Sequence, residues 1–185
     1  MTRRTREDWL AEGLTFLVRE GVEAVTIDAM CNLLGVTKGS FYHHFKSRHA
    51  YLEALLQYWE DEYTGKFIAF SLEGETPVEQ IQRLNGLVVE THDTSEVAIR
   101  AWAQTDPMAH EFQERVDQRR LDFLVELQVK LHGDAVLART MAQMVYAILI
   151  GSAQMMPPAS KTELARMYDL IGQLTLRKIK EMEAE

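Results

Sequence analysis

Residues 26–51 constrain the fold more than any other stretch of this 185-residue chain. They read TIDAMCNLLGVTKGSFYHHFKSRHAY, with apolar residues at helical spacing on both sides of the turn Gly35-Val36-Thr37. Gly35 stands where a helix C-cap favours a residue that tolerates positive φ, and Thr37 stands where an N-cap residue accepts from backbone N–H groups. The stretch therefore predicts two short helices around a tight turn, with Ser47 placed to cap the next helix.

The second of these helices, from about Lys38 to Phe45, has two different faces. Phe41 and Phe45 are one turn apart and are expected to anchor it to a core. The opposite face comprises Gly39, Tyr42 and His43, with Lys38, Ser40, His44 and Lys46 at its edges. Gly39 costs about 1 kcal/mol relative to Ala in a helix, which is understandable if the backbone approaches another molecule closely. The hydroxyl, imidazole and ammonium groups can bond to phosphate oxygens and base edges, so this helix is expected to enter the major groove of DNA.

The segment resembles the DNA-binding domain of the tetracycline-repressor (TetR) family of transcriptional regulators. Residues 35–47, GVTKGSFYHHFKS, match the family pattern nearly throughout, and the resemblance covers roughly the first fifty residues. It implies three N-terminal helices that bind DNA, a larger helical ligand-binding domain, and a homodimer. The chain departs from the pattern at Arg48, where lysine is usual, at His49, where an acidic residue is common, and at Phe41 and Tyr51, where leucine is common.

The motif and the resemblance together predict which residues contact DNA. They are Thr26, Thr37, Lys38, Gly39, Ser40, Tyr42, His43, His44, Lys46 and Arg48. Arg48 is expected to reach a phosphate. The basic start of the chain, with Arg3, Arg4 and Arg6, is either a frayed terminus or an arm that contacts phosphates or the minor groove.

The formal net charge of −8 is an apparent objection to DNA binding. Residues 1–46 hold six Lys/Arg and six Asp/Glu, whereas the rest of the chain holds fourteen and twenty-two. The acidity therefore lies outside the predicted DNA-binding part. Because docking on phosphates depends on the local field, the total charge does not exclude it.

Other features of the sequence narrow the class of protein. The single cysteine, Cys31, excludes an internal disulfide, suits a reducing cytoplasm, and is expected to be a small core residue. There is no run of about 18 apolar residues and no recognisable signal peptide, so no membrane span is expected. The sequence has no phosphate loop, nucleophile elbow or dinucleotide fingerprint, and His43, His44 and His49 lack metal-ligand spacing. We expect neither an enzyme nor a bound metal or cofactor.

The remainder of the chain reads as helical, with no β-strand pattern. A long fourth helix is predicted from Ser47 to near Phe70, followed by a loop at 71–77 and by helices over about 77–91, 96–104, 107–132, 135–155 and 161 to near the end. The fold class is therefore all-α with about nine helices. We expect a three-helix helix-turn-helix domain at residues 1–46 and a larger ligand-binding and dimerisation domain at residues 47–185.

The last two predicted helices have wide apolar faces that a lone hairpin would leave partly exposed. Pairing with a second copy would bury them as a four-helix bundle, and two half-sites on DNA require a twofold. The alternative is that these faces pack within one subunit. The predicted dimer interface comprises Met141, Val145, Ile148, Leu149, Ser152, Leu164, Met167, Tyr168, Ile171 and Leu174.

In the resembled family, residues of the middle helices commonly line a ligand cavity. Here that implies Trp59, Tyr63, Phe67, Thr91, Trp102, Met108, Phe112, Phe123 and Met144. Such a lining favours an apolar or aromatic molecule over a phosphorylated one, and the alternative is that these residues are simply core. Four further residues either bind a carboxylate or pair with acidic neighbours on helix surfaces: Arg100, Arg115, Arg119 and Arg120.

The sequence thus predicts a cytoplasmic, ligand-responsive transcriptional regulator. By family habit it is a repressor that binds a palindromic operator as a homodimer. A small, mostly apolar effector would release it by favouring a state in which the two recognition helices are wrongly spaced. The alternatives are an activator of the same fold, or a helical small-molecule-binding protein whose DNA-binding head is vestigial.

Overall fold

The computed structural model describes residues 4–183, with side chains as far as Lys178, and has no strand in that range. The α-helices are α1 (Arg6–Glu20), α2 (Ile27–Leu34), α3 (Lys38–His44), α4 (Arg48–Glu60), α5 (Lys66–Leu72), α6 (Pro77–Thr91), α7 (Ser95–Ala103), α8 (Pro107–His132), α9 (Ala135–Gln154) and α10 (Lys161–Glu183). A 3-10 turn, Val22–Ala24, links α1 to α2, and a π-helical segment, Asp61–Gly65, joins α4 to α5 without a break. If α4, the π-helical segment and α5 are counted as one helix, the described residues form nine helices. This is the all-α fold that the sequence predicts.

The helix-turn-helix has the predicted helix boundaries and turn. Gly35 is left-handed, at φ 66° and ψ 39°, as expected of the residue that ends α2. The hydroxyl of Thr26 accepts from the Ala29 N–H at 3.1 Å, and that of Ser47 accepts from the Ala50 N–H at 3.1 Å. Thr37 has the extended backbone of an N-cap residue, but its side chain makes no capping hydrogen bond. The predicted capping role of the Thr37 hydroxyl is therefore wrong.

By packing, the chain divides into two compact units. The first unit consists of the residues up to Tyr63 together with Thr94–Arg115, and the second of Thr64–Asp93 together with the chain from Val116 onward. In the first unit, α1 packs against both α4 and α7. This division by packing differs from the division by function at residues 46 and 47, which stays a prediction.

The first unit has an aromatic core at the base of α3. Phe41 and Phe45 are buried and pack edge-to-face on Trp9 of α1, with ring centroids 5.5 and 6.2 Å away. Tyr51 of α4 is buried too, and its ring lies 4.8 Å from that of Phe45. The two phenylalanines therefore anchor α3 as predicted.

Tyr51 fits this core only because α1 has a glycine beside it. The Tyr51 hydroxyl donates to the Trp9 carbonyl at 2.7 Å. A Cβ atom at Gly13 would lie 1.8 Å from the hydroxyl oxygen of Tyr51, which is far closer than atoms can approach. The tyrosine that departs from the family pattern is thus matched by a residue without a side chain. Burial raises the pKa of the Tyr51 hydroxyl, which stays protonated.

Two buried carboxylates lie elsewhere in the first unit, and each has a cationic partner. Glu60 accepts from Arg115, whose Nε lies 3.1 Å away, and Glu96 pairs with Arg100 at 2.7 Å. Gln113 also donates to Glu96, at 3.4 Å. Because an unpaired buried charge is costly, these arginines are needed where they are. Their partners are not the surface acids that the sequence suggested.

The second unit is built around α9 and α10. Both α9 and α6 pack against α10, and α6 also packs against α5. The buried cluster of this unit comprises Leu124, Ala142, Val145, Tyr146, Leu164, Tyr168 and Ile171. The Tyr146 hydroxyl donates to Asp117 at 2.8 Å, so the polar end of that buried ring is satisfied.

One helix, α9, has the length and apolar character of a membrane span, with a mean hydropathy of 1.4 over its most apolar window, 28% of which is buried. No such span is expected from the sequence. A single helix of this kind is weak evidence for a membrane, since helices of soluble proteins pass the same test. Its low burial shows instead that much of an apolar helix faces outward from the subunit.

Candidate nucleic-acid interface

The outward face of α3 is the candidate surface. Phe41 and Phe45 point into the core, so the residues about half a turn away point out. Tyr42 is 56% exposed, and Gly39 and His43 are exposed as well. A Cβ atom at Gly39 would meet only the Thr37 hydroxyl, at an ordinary 3.6 Å, so the backbone there is open to a close approach.

The residues at the edges of this face differ in their exposure to solvent. Ser40 and His44 are half-buried. The His44 Nε2 atom lies 3.1 Å from the Arg4 carbonyl, and its ring is near that of Trp9, with centroids 6.5 Å apart. His44 therefore ties the start of the chain to α3, whereas Lys46 is exposed at the other end of the face.

Lys38 is exposed but has an acidic neighbour on α2. Its Nζ atom lies 2.7 Å from Asp28, which raises the pKa of the lysine through a hydrogen bond and through charge. Both side chains are mostly solvent-exposed, and pairs of this kind are weak and screened by salt. The pair thus keeps Lys38 charged at the edge of α3 without fixing it there.

Arg48 has a role other than the one that the sequence suggested. Its Nε donates to the Val25 carbonyl at 2.6 Å, and its Nη2 donates to the Val22 carbonyl at 2.8 Å. The side chain is half-buried and fastens the 3-10 turn before α2 to the start of α4. We therefore correct the expectation of a phosphate contact, because the guanidinium is held within the unit by two carbonyls.

The remaining predicted residues lie around the same surface. Thr26 and Thr37 are exposed at the starts of α2 and α3. Arg4 and Arg6 are exposed as well, and the Arg6 guanidinium lies 5.3 Å from the centre of the Phe45 ring. Arg3 lies outside the described residues.

Leu33 differs from the other apolar residues near the end of α2. It is 43% exposed, while Met30, Cys31 and Leu34 are buried. The burial of Cys31 agrees with its prediction as a core residue, and it raises the pKa of the thiol. Leu33 lies in the last turn of α2, one residue before the helix ends at Leu34.

The structure divides the predicted dimer interface into two sets. Five of its members are buried in their own subunit, where a partner cannot reach them: Val145, Ser152, Leu164, Tyr168 and Ile171. The others are half-buried or exposed: Met141, Ile148, Leu149, Met167 and Leu174. The former set is corrected to core, because helical spacing alone could not tell the inner edge of each apolar stripe from its outer edge.

The predicted ligand residues are divided between the two units. Trp59, Tyr63, Trp102, Met108 and Phe112 belong to the first unit, and Phe67, Thr91, Phe123 and Met144 to the second. The large rings of Trp59, Trp102, Phe112 and Phe123 are buried. Met144 is 47% exposed on α9, which corrects its assignment to a cavity. A cavity of the second unit is lined by other residues, as described below.

The partners of Arg100, Arg115 and Arg120 lie within their own unit. Arg100 and Arg115 pair with buried glutamates, and the Arg120 Nε donates to the Thr64 hydroxyl at 2.8 Å. Among residues 4–178 no group of three or more His, Cys, Asp or Glu side chains is arranged to hold a metal ion.

Comparison with known proteins places this surface in a family. A family model described as "Bacterial regulatory proteins, tetR family" matches residues 10–55, which include the whole helix-turn-helix. Two relatives are HTH-type transcriptional repressors named KstR2. The protein from Mycolicibacterium smegmatis is 26% identical over 91 residues, and the one from Rhodococcus jostii is 25% identical over 125 residues. These matches span 49% and 68% of this chain, and 43% and 58% of the relatives, which is about half of their length.

Solved structures share the fold along nearly the whole chain. A TetR-family regulator from Streptomyces coelicolor has a TM-score of 0.79 at 15% identity and covers 94% of this chain and 89% of its own. A TetR regulator from Legionella pneumophila has a TM-score of 0.76 at 14% identity, over 94% and 98%. KstR2 of Mycobacterium tuberculosis, a ketosteroid transcriptional regulator, has a TM-score of 0.64 at 18% identity, over 97% and 94%.

A short exposed helix behind a glycine turn is the arrangement of a helix-turn-helix DNA-binding domain. The motif of residues 35–47, the family model over it and the shared fold all indicate resemblance to the same family. Residues 10–55 match the tetR family of bacterial regulatory proteins, and the chain shares the fold of solved TetR-family regulators.

Proposed function

We propose that this protein is a cytoplasmic repressor that binds a palindromic operator as a homodimer and is released by a small, mostly apolar effector. The observation that carries the proposal is the orientation of α3. Its two phenylalanines are buried, while Gly39, Tyr42 and His43 are exposed together on the opposite side. A helix held in this way presents a rigid surface of the size that fits a major groove.

The contacts of this surface sort into two kinds. Tyr42, His43 and the open backbone of Gly39 are placed to read base edges, because they occupy the middle of the face. Lys38 and Lys46 lie at its edges, where phosphates flank a groove, and we assign them to the backbone. Thr26, Thr37, Ser40 and His44 complete the rim, with hydroxyl and imidazole groups that suit phosphate oxygens.

Dimerisation is supported by an apolar stripe that the subunit covers only in part. Met141, Met144 and Ile148 follow one another at helical spacing on α9, and Met144 is largely exposed. On α10, Leu170 and Leu174 are more than half exposed. Exposed apolar residues on two adjacent antiparallel helices favour a four-helix bundle with a second copy, which also supplies the twofold that a palindrome requires.

Repression, rather than activation, is supported by the names of the relatives. Both KstR2 proteins are transcriptional repressors, and the similarity to them covers about half of their length. A repressor needs only to occupy its operator, and the described surface is sufficient for that. The regulated genes and the operator follow from experiment.

The experiment is a fluorescence-anisotropy titration of the full chain with DNA from upstream of its own gene. We expect specific binding whose affinity falls with salt, and we expect the Tyr42→Ala, His43→Ala double variant to lose about 2–4 kcal/mol of binding free energy, since a good base contact contributes about 1–3 kcal/mol. Lys46→Ala should weaken binding to all DNA and lower the salt slope by about 1.

The matched control is Glu53→Ala on α4, an exposed residue outside the candidate surface. It should bind DNA like the wild type. A folded wild-type protein that fails to bind any DNA would show that the head is vestigial, and it would favour a helical small-molecule-binding protein instead. A reporter gene that is expressed less when the protein is deleted would favour an activator.

A further inference from the structure

The second unit contains a groove between α6, the end of α8 and α10. Its volume is about 480 Å³, which is within the range of small-molecule sites. Its polar and glycine lining includes Asn85, Gly86, Gln128, Asp169 and Gly172. Apolar side chains make up much of the rest, among them Val78, Ile81, Val89, Leu131 and Leu176.

The helix α6 has an apolar side that the subunit does not fully cover. None of its fifteen residues is buried, although its valines, leucines and isoleucine are all at least half-covered. Two glycines line the groove, Gly86 on α6 and Gly172 on α10. A Cβ atom at either position would meet nothing within 4 Å, so the space beside both is empty. An apolar molecule in the groove would bury the apolar surface of α6 that the protein leaves partly exposed.

Gln128 provides a polar anchor at the α8 side of this groove. Its side chain is only 2% exposed. The Gln128 carbonyl oxygen lies 3.1 Å from the Nε2 atom of buried His132, and this contact orients the amide. Burial holds the pKa of His132 below its usual range, while Asp134 opposes that effect, so the imidazole is neutral at pH 7 and donates from Nε2. Because Gln128 lines the groove, its amide N–H is a donor that a ligand there can accept from.

The charge of the groove limits what can bind there. Among residues 4–178, Asp169 is the only charged residue that lines the groove, and no Lys, Arg or His of that range belongs to the lining. An anion would meet a carboxylate and no cation, so carboxylates and phosphates are disfavoured. The lining does not disfavour a neutral molecule.

We propose that this groove is the effector site, and that it takes a neutral, mainly apolar molecule whose hydrogen-bond acceptor, such as a carbonyl or ether oxygen, faces the amide of Gln128. The inference rests on the proposed function for its regulatory meaning, but the binding site itself does not depend on DNA. The site differs from the lining expected from the sequence, which contributes no residue to it.

The groove is mechanically connected to the helix that leads back to the DNA-binding unit. The Ser71 hydroxyl of α5 donates to the Gln80 carbonyl of α6 at 2.7 Å, and Arg83 of α6 donates to the Phe70 carbonyl at 2.9 Å. The Arg83 guanidinium also stacks on the Phe70 ring, 4.1 Å from its centre. A ligand that draws α6 toward α10 would therefore pull on α5, which continues through the π-helical segment into α4.

The test uses Nile red, a neutral, apolar dye with a carbonyl, titrated into the full chain by fluorescence. Gly172→Leu fills the groove, and Gln128→Met removes the amide without a change of shape. Because the space at Gly172 is empty and leucine favours helices, Gly172→Leu should fold at least as well as the wild type. The matched controls are Gly39→Leu, a helical glycine outside the second unit, and Gln118→Met, an exposed glutamine on the same helix α8.

We expect Gly172→Leu to weaken Nile red binding at least tenfold and Gln128→Met to weaken it about threefold to tenfold, as the loss of one buried hydrogen bond predicts. The controls should bind the dye like the wild type. Equal dye affinity in the wild type and Gly172→Leu would overturn the site. The anionic dye anilinonaphthalene sulfonate should show no loss in Gly172→Leu, and a matching loss would overturn the neutral class. Failure of the proposed function appears separately, as a wild-type protein that binds the dye in the groove but no DNA.

Discussion

At the scale of single residues, one departure from the family pattern is explained by a second residue far along the chain. Tyr51 is larger than the leucine that is common at its position, and its hydroxyl reaches past the ring of Phe45 to the carbonyl of Trp9. The hydroxyl occupies the space that a side chain at Gly13 would need. The two residues are thus a matched pair that holds α1 against α4 beneath the recognition helix.

Gly13→Ala should destabilise the protein by about 1–3 kcal/mol, because the added methyl group collides with a rigid phenol in a packed core. In a Tyr51→Leu background the same change should cost less, and it gains the helix propensity of alanine. The measurement is the free energy of urea unfolding of the four proteins in a double-mutant cycle. Equal costs of Gly13→Ala in both backgrounds would contradict the pairing.

Arg48 is held by backbone carbonyls, whereas exposed Lys46 is proposed to contact DNA, so the two cations should respond differently to substitution. Arg48→Ala should cost about 2 kcal/mol of unfolding free energy, because two carbonyls lose a charged donor, and it should leave the salt slope of DNA binding unchanged. Lys46→Ala should leave the unfolding free energy within about 0.5 kcal/mol and lower the slope. Urea unfolding and salt titrations check both, and a reduced salt slope in folded Arg48→Ala would restore the phosphate contact.

At the scale of elements, the sequence was informative where a structure is determined locally. The turn at Gly35 and the inward phenylalanines of α3 follow from spacing within a few residues, and both were predicted. The partners of Arg48 were not, because they lie 23 and 26 residues away along the chain. The π-helical segment was also missed, since no proline or glycine pair marks it, and it appears as one long helix in the apolar pattern.

The two faces of α3 should separate in mutation. Phe41→Ala should cost about 3–5 kcal/mol of unfolding free energy, since it empties the middle of the aromatic core. Tyr42→Ala should change the unfolding free energy by less than about 0.5 kcal/mol, because the ring is exposed, and should weaken operator binding. Calorimetry and DNA titration of the two variants check this, and a strongly destabilised Tyr42→Ala would mean that this ring belongs to the core.

At the scale of the whole molecule, apolar periodicity identified two helices with apolar stripes but not which residues of each stripe are exposed. Val145 and Tyr168 belong to the same apolar stripes as Met141 and Leu174, yet only the latter pair is open to a partner. How deep each stripe lies depends on the angle at which α9 and α10 meet, and one sequence does not contain that angle. The groove proposed as the effector site was missed for the same reason, since its lining comes from helices that are distant in sequence.

Leu174→Glu should convert the dimer to a monomer, because Leu174 is 51% exposed in the subunit and a dimer would bury the charge. Operator affinity should then fall about a hundredfold or more, as two linked half-sites become one. Leu176→Glu on the groove side of the same helix is the control and should remain dimeric. Analytical ultracentrifugation distinguishes the two, and a dimeric Leu174→Glu protein would contradict this interface.

The central claim is that two copies of the exposed face of α3 read two DNA half-sites. The most direct measurement is selection from a random DNA library by the purified wild type and by the Tyr42→Ala, His43→Ala variant. The account predicts that the wild type enriches an inverted repeat whose half-site centres lie about one helical turn, roughly 10 base pairs, or a multiple of it apart, and that the variant does not. Enrichment of the same repeat by the folded variant, or of a single unrepeated site by the wild type, would contradict it.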